Sequence, residues 1–224
     1  MGKEKLKLSV LLLEAAKPEW DKAAAQNFVI EMARGTLEPS RFRNYMIQDY
    51  LYLIEYLEIL GIIKAQLLSI SAEKIYGSLI QFVENVIAET KRELNRVHIP
   101  NMEAIGIRED EARKTEIISE ISDYTKYMKE QILENGPLTG LVLLLQCSWG
   151  YAYIGQTVGK KYLHEIEDSA YKSWFDAYAC EDYTKANQNW IDIVDRLAEG
   201  KEQQIFVEIF VRCAKYETKL WEAL

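Results

Sequence analysis

Apolar and polar residues recur along most of the chain with a period of three to four positions, the pattern of α-helices that bury one face. Residues that begin or end helices occur at the breaks in this pattern. Pro18, Pro39 and Pro137 each stand where a first helical turn would begin, and Gly35 and Gly136 stand where the preceding helix would end. The pattern therefore predicts nine helices, at 4–16, 19–33, 39–69, 72–96, 110–134, 137–158, 168–179, 182–198 and 201–222.

The longest stretch without a helical period is VHIPNMEAIGI, at 97–107. A stretch of about ten residues has the length of a loop and not of a second domain, and no linker, repeat or low-complexity tract occurs elsewhere. Long helices joined by short connections favour antiparallel neighbours. We therefore expect an all-α fold, an up-and-down helical bundle that forms a single domain over residues 1–224.

Composition supports this class, since 49% of the 224 residues are hydrophobic and only four prolines and eleven glycines interrupt the chain. The formal net charge of -8 argues against a nucleic-acid partner, because phosphate binding uses Lys and Arg concentrated on one face. No apolar run approaches the roughly 20 residues that span a bilayer, and the run at 10–13 is too short for a signal peptide. We expect a cytoplasmic protein with no nucleic-acid and no membrane partner.

The spacing of the cysteines and histidines indicates which metal sites and disulfides the chain can form. Cys147, Cys180 and Cys213 are widely spaced and form no CxxC pair, which argues against a disulfide framework or a zinc ribbon and favours a reducing compartment. The two histidines, His98 and His164, lack the glutamate three residues earlier that a carboxylate-bridged di-iron bundle requires. No glycine-rich phosphate-binding sequence occurs. We therefore expect no metal and no other cofactor.

One predicted helix face combines a carboxylate with aromatic rings. Tyr45, Asp49, Tyr52 and Tyr56 are spaced i, i+4, i+7 and i+11 in RFRNYMIQDYLYLIEY. Spacing alone favours an amphipathic stripe with Asp49 at its wet edge. The alternative is a buried carboxylate that needs a partner, such as an amine or a ring nitrogen of a ligand. A second aromatic face is predicted in YKSWFDAYACEDY, from Tyr171, Trp174 and Tyr178.

A thiol and a glutamate are the candidates for catalysis. Cys147 follows a strongly apolar run and shares a helix face with Tyr151. A lone cysteine in such a place is usually core filler, unless a nearby acid or base makes its thiolate available as a nucleophile. Glu217 shares a face with Cys213 and Leu220 in the last helix, where burial would favour its protonated form and so suit it to proton transfer. A solvated glutamate is equally compatible with the spacing.

Four segments together resemble the TenA family, the thiaminase II enzymes. They are FVIEMARGTLEPSRFRNYMIQDYLYL at 28–53, LLLQCSWGYAYIG at 143–155, YKSWFDAY at 171–178 and KYETKLW at 215–221, and they occur in the family's order. The resemblance implies the all-helical fold shared with haem oxygenases. It also implies hydrolysis of 4-amino-5-aminomethyl-2-methylpyrimidine, or of thiamin, in salvage of the thiamin pyrimidine. Members are commonly tetrameric, so a homo-oligomer is expected.

The resemblance also implies roles for individual residues. Cys147 would be the nucleophile that adds to the pyrimidine ring, and Glu217 would donate and accept protons. Asp49 would bind the amidine-like face of the ring. The tyrosines would line or polarise the pocket or lie beside the thiol: Tyr52, Tyr124, Tyr151 and Tyr178.

The chain departs from the family pattern at two positions. Gln146 stands where many members have proline, and Leu220 stands where many have phenylalanine. The lost ring would change how a pyrimidine stacks, which leaves the substrate more open than the chemistry. Two alternatives therefore accompany the aminopyrimidine hydrolase: a non-catalytic pyrimidine-binding or regulatory protein, and a bundle hydrolase with a different small heteroaromatic substrate.

Overall fold

The computed structural model describes residues 6–70 and 74–224, with the side chains of 74–76 left aside. Within these ranges the secondary structure is helical and contains no strand, so the all-α prediction is confirmed. The predicted helix starts at residues 4 and 72 lie outside the described residues. The helices are α1 (Leu8–Ala24), α2 (Asn27–Ala33), α3 (Pro39–Ser69), α4 (Lys74–Glu93), a π-helical segment (Leu94–His98), α5 (Ile99–Ala104), α6 (Glu109–Ala112), α7 (Ser119–Asn135), α8 (Pro137–Lys161), α9 (Leu163–Glu167), α10 (Lys172–Ala179), α11 (Glu181–Ala198) and α12 (Gln204–Ala223).

Prolines and glycines set some helix boundaries as predicted, with one exception. Pro39 and Pro137 begin α3 and α8, and Gly136 ends α7 with a φ of 84°. The break predicted before Pro18 is wrong, because α1 continues through it to Ala24. Pro18 lies on the exposed side of α1, while the opposite side is anchored by fully buried side chains, and this packing outweighs the roughly 3 kcal/mol cost of an interior proline. The anchoring residues are Leu8, Leu12, Ala16, Trp20 and Ala23.

The loop predicted at 97–107 is also wrong. The chain stays helical through the π-helical segment and α5, and only a short turn separates α5 from α6. Pro100 falls in the first turn of α5, directly after the π-helical segment. His98 and Met102 are buried, at 6% and 0% exposure. Tertiary packing therefore stabilises a helix whose local pattern is weak.

The helix predicted at 110–134 is divided into α6 and α7 because a side chain from α3 holds the connection between them. The Gln48 amide donates to the Glu116 carbonyl at 3.0 Å and accepts from the Ile118 N–H at 3.1 Å. These two bonds satisfy backbone groups that a continuous helix would have paired internally. The helix predicted at 168–179 begins four residues later, as α10 at Lys172, and the short helix α9 precedes it at residues where no helix is predicted.

The described chain forms two compact units. The first unit contains residues up to 37 together with 141–223, and in it α1 packs on α11 and α12 while α12 also contacts α2. The second unit contains residues 38–140, and in it α3 packs on α4 and α7. That the whole chain behaves as a single domain stays a prediction.

Helix α8 contains the most apolar window among the long described helices. It is the one described helix long and apolar enough to cross a membrane by length and composition, and 72% of its most apolar window is buried inside the structure. Residues 141–146 are all buried, at no more than 1% exposure. This burial is that of a core helix, which passes the same test of length and composition.

Replacing Gly140 by alanine is expected to destabilise the protein by about 1–3 kcal/mol, the usual cost of overpacking a core. A Cβ at this position would lie 2.5 Å from Cγ1 and 2.7 Å from Cδ1 of the fully buried Ile63. The measurement is the free energy of unfolding in urea. Gly159→Ala on the same helix is the matched control, because its Cβ position has no atom within 4 Å apart from its chain neighbours and the backbone of its own helix. It should gain up to about 1 kcal/mol from helix propensity. Equal stability of Gly140→Ala and the unaltered protein would contradict the expected clash.

Candidate active site

A buried glutamate and a buried glutamine meet in the first unit. Glu217, on α12, is 3% exposed, and Gln146, on α8, is fully buried. The Gln146 Nε2 group donates to Glu217 Oε2 at 2.7 Å. A hydrogen bond this short is typical of an amide that donates to a carboxylate. The contact fixes the position of the carboxyl group relative to α8.

Gly150 provides the space for this pair. It lies four residues after Gln146 and therefore on the same face of α8. A Cβ at Gly150 would lie 3.1 Å from Glu217 Oε2, 3.3 Å from Gln146 Nε2 and 3.1 Å from the indole nitrogen of Trp20. That buried indole N–H has no hydrogen-bond partner among the described residues. Three polar groups thus converge on the space beside Gly150, and a side chain at this position would crowd all three.

Cys147 follows Gln146 directly, about 100° further around α8. Its thiol is half-buried, whereas Cys213 is fully buried in α12 and Cys180 is exposed. Cys180 accepts a hydrogen bond from the Tyr183 N–H and so caps α11. Among the three thiols, Cys147 is the one that is both part of the core helix and partly accessible, as a nucleophile for a small molecule must be.

Aromatic rings from two helices, α10 and α12, surround Tyr151 of α8 in the first unit. Its ring centroid lies 4.8 Å from that of Tyr178, 5.4 Å from that of Trp221 and 5.9 Å from that of Trp174. Gly155 permits the approach of α10, because a Cβ there would lie 3.0 Å from Tyr178 Cβ. The predicted residues Tyr151 and Tyr178 are therefore brought together, in an arrangement suited to holding a flat ring by its edge or face.

Asp49 is paired with a histidine in the second unit. Its side chain is 12% exposed, and its Oδ2 lies 3.6 Å from Nδ1 of His98. The other ring nitrogen, Nε2, lies 3.0 Å from the Met46 carbonyl. A carbonyl only accepts hydrogen bonds, so Nε2 carries a proton and the lone pair of neutral Nδ1 would face the carboxylate. A proton held by Asp49 or by Nδ1 removes that repulsion.

The other predicted residues of the second unit also lie together. Tyr52 is stacked on Tyr124, with ring centroids 6.1 Å apart and an interplanar angle of 15°. Tyr56 lies 6.0 Å from Tyr52, and all three rings are at least nine-tenths buried. The tyrosine face expected along α3 is thus an inner surface of this unit, and α7 adds Tyr124 to it.

The structure adds residues to both groups that sequence reasoning did not single out for the site. They are Trp20, Gly150 and Trp221 in the first unit and His98 in the second. His98 lies in the stretch for which the sequence predicts a loop, and Gln146 is distinguished in the sequence only as a departure from the family pattern. Helical spacing offers no signal for contacts between helices distant in sequence. Across the described ranges, no group of three or more His, Cys, Asp or Glu side chains could hold a metal ion.

Replacing Asp49 by asparagine is expected to stabilise the protein at neutral pH by about 1 kcal/mol, the size usual when a costly functional group is removed. Burial raises the pKa of Asp49 above its ordinary value, and the charge of His98 opposes that rise. The folded state therefore holds this proton more tightly than the unfolded chain, so the carboxylate costs stability as pH rises above the ordinary range of an aspartate. The gain in Asp49→Asn should vanish near pH 3, where the carboxyl is protonated in both states.

The measurement is urea unfolding of both proteins at the two pH values. Asp123→Asn, which changes an exposed aspartate of α7, is the control and should alter stability little at either pH. Loss of stability in Asp49→Asn at neutral pH would show that the attraction to His98 outweighs the cost of burial.

Fold and site together define an all-α protein with a partly accessible thiol, a buried carboxyl–amide pair and clustered aromatic rings. The chain belongs to the TENA/THI-4/PQQC family, whose model matches residues 13–224. The family resemblance carried by the four sequence segments is thereby confirmed.

Relatives with assigned activities are similar over almost the full length. An aminopyrimidine aminohydrolase of Helicobacter pylori is 28% identical over 223 residues, which cover 97% of this chain and 98% of the relative. An aminopyrimidine aminohydrolase of Halalkalibacterium halodurans is 29% identical, over 94% of this chain and 92% of the relative. The solved structure of a TenA family transcription regulator from Silicibacter sp. TM1040 superposes with a TM-score of 0.83 at 23% identity, over 97% of this chain and 96% of that one. The last similarity concerns the fold alone.

Proposed function

We propose that this protein is a cytoplasmic aminopyrimidine hydrolase that converts 4-amino-5-aminomethyl-2-methylpyrimidine and water into the hydroxymethylpyrimidine and ammonia. The observation that carries the proposal is the half-buried thiol of Cys147, next in sequence to the amide that holds the buried carboxyl group of Glu217. The full-length relatives named aminopyrimidine aminohydrolases support the same reaction class. The reaction needs a nucleophile and a proton carrier, and it needs no redox step.

The chemistry proceeds in two stages. The thiolate of Cys147 forms a bond to a ring carbon of the pyrimidine while a ring nitrogen takes up a proton from the solvent, to which that proton returns at the end of the cycle. This addition removes the aromatic stabilisation of the ring. The exocyclic C–N bond then breaks, with Glu217 giving a proton to the departing amine so that ammonia leaves.

Hydrolysis completes the cycle. Water adds to the exocyclic carbon and gives one proton back to Glu217. The ring then expels Cys147, the S–C bond breaks with its electron pair returning to sulfur, and the ring nitrogen loses its proton. The net change is the exchange of an amine for a hydroxyl group, and both side chains regain their starting protonation states.

Binding uses the other site residues. By the family resemblance, Asp49 would accept hydrogen bonds from the exocyclic amine on the ring and from a protonated ring nitrogen, which together form an amidine-like edge. Tyr52 and Tyr124 supply one stacked aromatic pair, and Tyr151 and Tyr178 supply another aromatic surface. Leu220 is buried where many members have phenylalanine, so an aliphatic side chain takes the place of one ring.

The test is product formation by the purified protein with three substrates: the aminomethylpyrimidine, its formylamino precursor and thiamin. We expect stoichiometric ammonia and hydroxymethylpyrimidine from the first, measured by a coupled ammonia assay and chromatography. Heat-denatured protein provides the background rate. Binding of all three compounds by calorimetry without any turnover would overturn the hydrolase in favour of a non-catalytic binding protein. Turnover of the formylamino compound or of thiamin, without turnover of the aminomethylpyrimidine, would mean that ammonia is not the leaving group.

A further inference from the structure

The side chain of Gln146 is a fully buried amide in an otherwise apolar stretch of α8, and it donates a hydrogen bond to Glu217. Burying a primary amide is costly unless its polar atoms are paired. The preceding residues on α8, from 141 to 145, are all aliphatic. A polar side chain in this place is therefore explained by its contact and not by packing.

The amide can pair with Glu217 in either protonation state. When Glu217 is a carboxylate, an amide N–H donates to it, as in the 2.7 Å contact between Nε2 and Oε2. When Glu217 is a carboxylic acid, a half-turn of the amide presents its carbonyl oxygen to the acidic O–H. Neither an aliphatic side chain nor a basic one offers both a donor and an acceptor at the same point.

We propose that Gln146 is a positioning residue that holds Glu217 in one place through both of its protonation states during turnover. This inference rests on the proposed function, in which Glu217 gives a proton to the leaving amine and later recovers one from water. A proton carrier that shifts when its charge changes would lose alignment between these two steps. An amide that stays bonded to the carboxyl group in both states prevents that shift.

Gly150 is the second part of this arrangement. A Cβ there would approach both partners of the bond, at 3.1 Å from Glu217 Oε2 and 3.3 Å from Gln146 Nε2. The glycine thus leaves the amide room to lie against α8 and to turn. The pair and the glycine come from positions i and i+4 of one helix and a single residue of another, so the geometry is set by rigid elements.

The test compares Gln146→Met with the unaltered protein on the aminomethylpyrimidine. Methionine has nearly the same length and volume but makes no such hydrogen bond. We expect kcat to fall by about 10- to 100-fold, the loss of rate that corresponds to the free energy of one hydrogen bond to a charged group. KM should change less than about threefold, because Gln146 does not bind substrate. Gln156→Met is the matched control: Gln156 lies on the same helix and bonds to Thr184 near the surface, so its loss should leave both constants unchanged.

A double-mutant cycle with Glu217→Gln separates positioning from general structure. If Gln146 acts through Glu217, the methionine substitution will not lower kcat further in the Glu217→Gln background. A further loss of the same size in that background would overturn the inference, as would an unchanged kcat in Gln146→Met alone. Thermal unfolding checks that each variant is folded. If the methionine variant is not, Gln146→Asn, which keeps the amide but shortens its reach, takes its place in the cycle with the same expected results.

The two proposals fail in different ways. Absence of turnover in the unaltered protein would overturn the hydrolase and this inference together. Normal turnover that does not depend on Gln146 would overturn this inference alone.

Discussion

Replacing Cys147 by serine is expected to lower kcat for the aminomethylpyrimidine by about a thousandfold or more, the scale on which removal of an attacking nucleophile acts. A serine hydroxyl is almost fully protonated at neutral pH and is a far weaker nucleophile than a thiolate. The exchange of sulfur for oxygen changes the shape of the site little, because the thiol is only half-buried. Ligand affinity, measured by calorimetry, should therefore change less than about threefold.

The other two cysteines provide the controls. Cys180→Ser should retain full activity and stability, because Cys180 is exposed and serine can replace it as the cap of α11. Cys213→Ser places a hydroxyl in the fully buried core of α12 and should lower stability without abolishing turnover. Turnover above one-tenth of the unaltered rate in Cys147→Ser would show that the thiol is not the nucleophile.

Replacing Glu217 by glutamine is expected to lower kcat by about 10²- to 10⁴-fold, the usual contribution of a general acid–base group. The amide keeps the size of the side chain and can still pair with Gln146 across the contact now 2.7 Å long, so folding and binding should be preserved. What it cannot do is give a proton to the departing amine or take one from water. The measurement is kcat and KM under steady-state conditions.

Glu222→Gln is the control for this change, since Glu222 is an exposed residue on the same helix, bonded to Gln26 at 3.4 Å. It should leave kcat unaltered. A loss of affinity in Glu217→Gln with an unchanged kcat would mean that Glu217 binds the substrate and carries no proton.

Much of the architecture is predictable from the sequence because it depends on local chemistry. The helical period follows from side chains three and four positions apart, and the starts of α3 and α8 follow from prolines whose missing N–H is harmless in a first turn. Gly136, with a φ of 84°, ends α7 because glycine adopts that backbone conformation at little cost. Helical spacing alone favours ordinary roles for Cys147 and Asp49 and leaves both roles equally open for Glu217, and the family motifs are what assign these residues to catalysis and binding.

The partners of those residues were decided only by the tertiary structure. Gln146 and Glu217 are 71 positions apart, and His98 is 49 positions from Asp49, so no local period connects either pair. Packing also overrode local signals: α1 passes through Pro18, and the π-helical segment places His98 where a loop was expected. The sequence by itself thus determined most of the helical segments and which side chains are chemically able to act. The tertiary structure decided which of those side chains are paired, through burial and through contacts between helices distant in sequence. Such packing contributes more free energy than the helix propensities of the individual residues do.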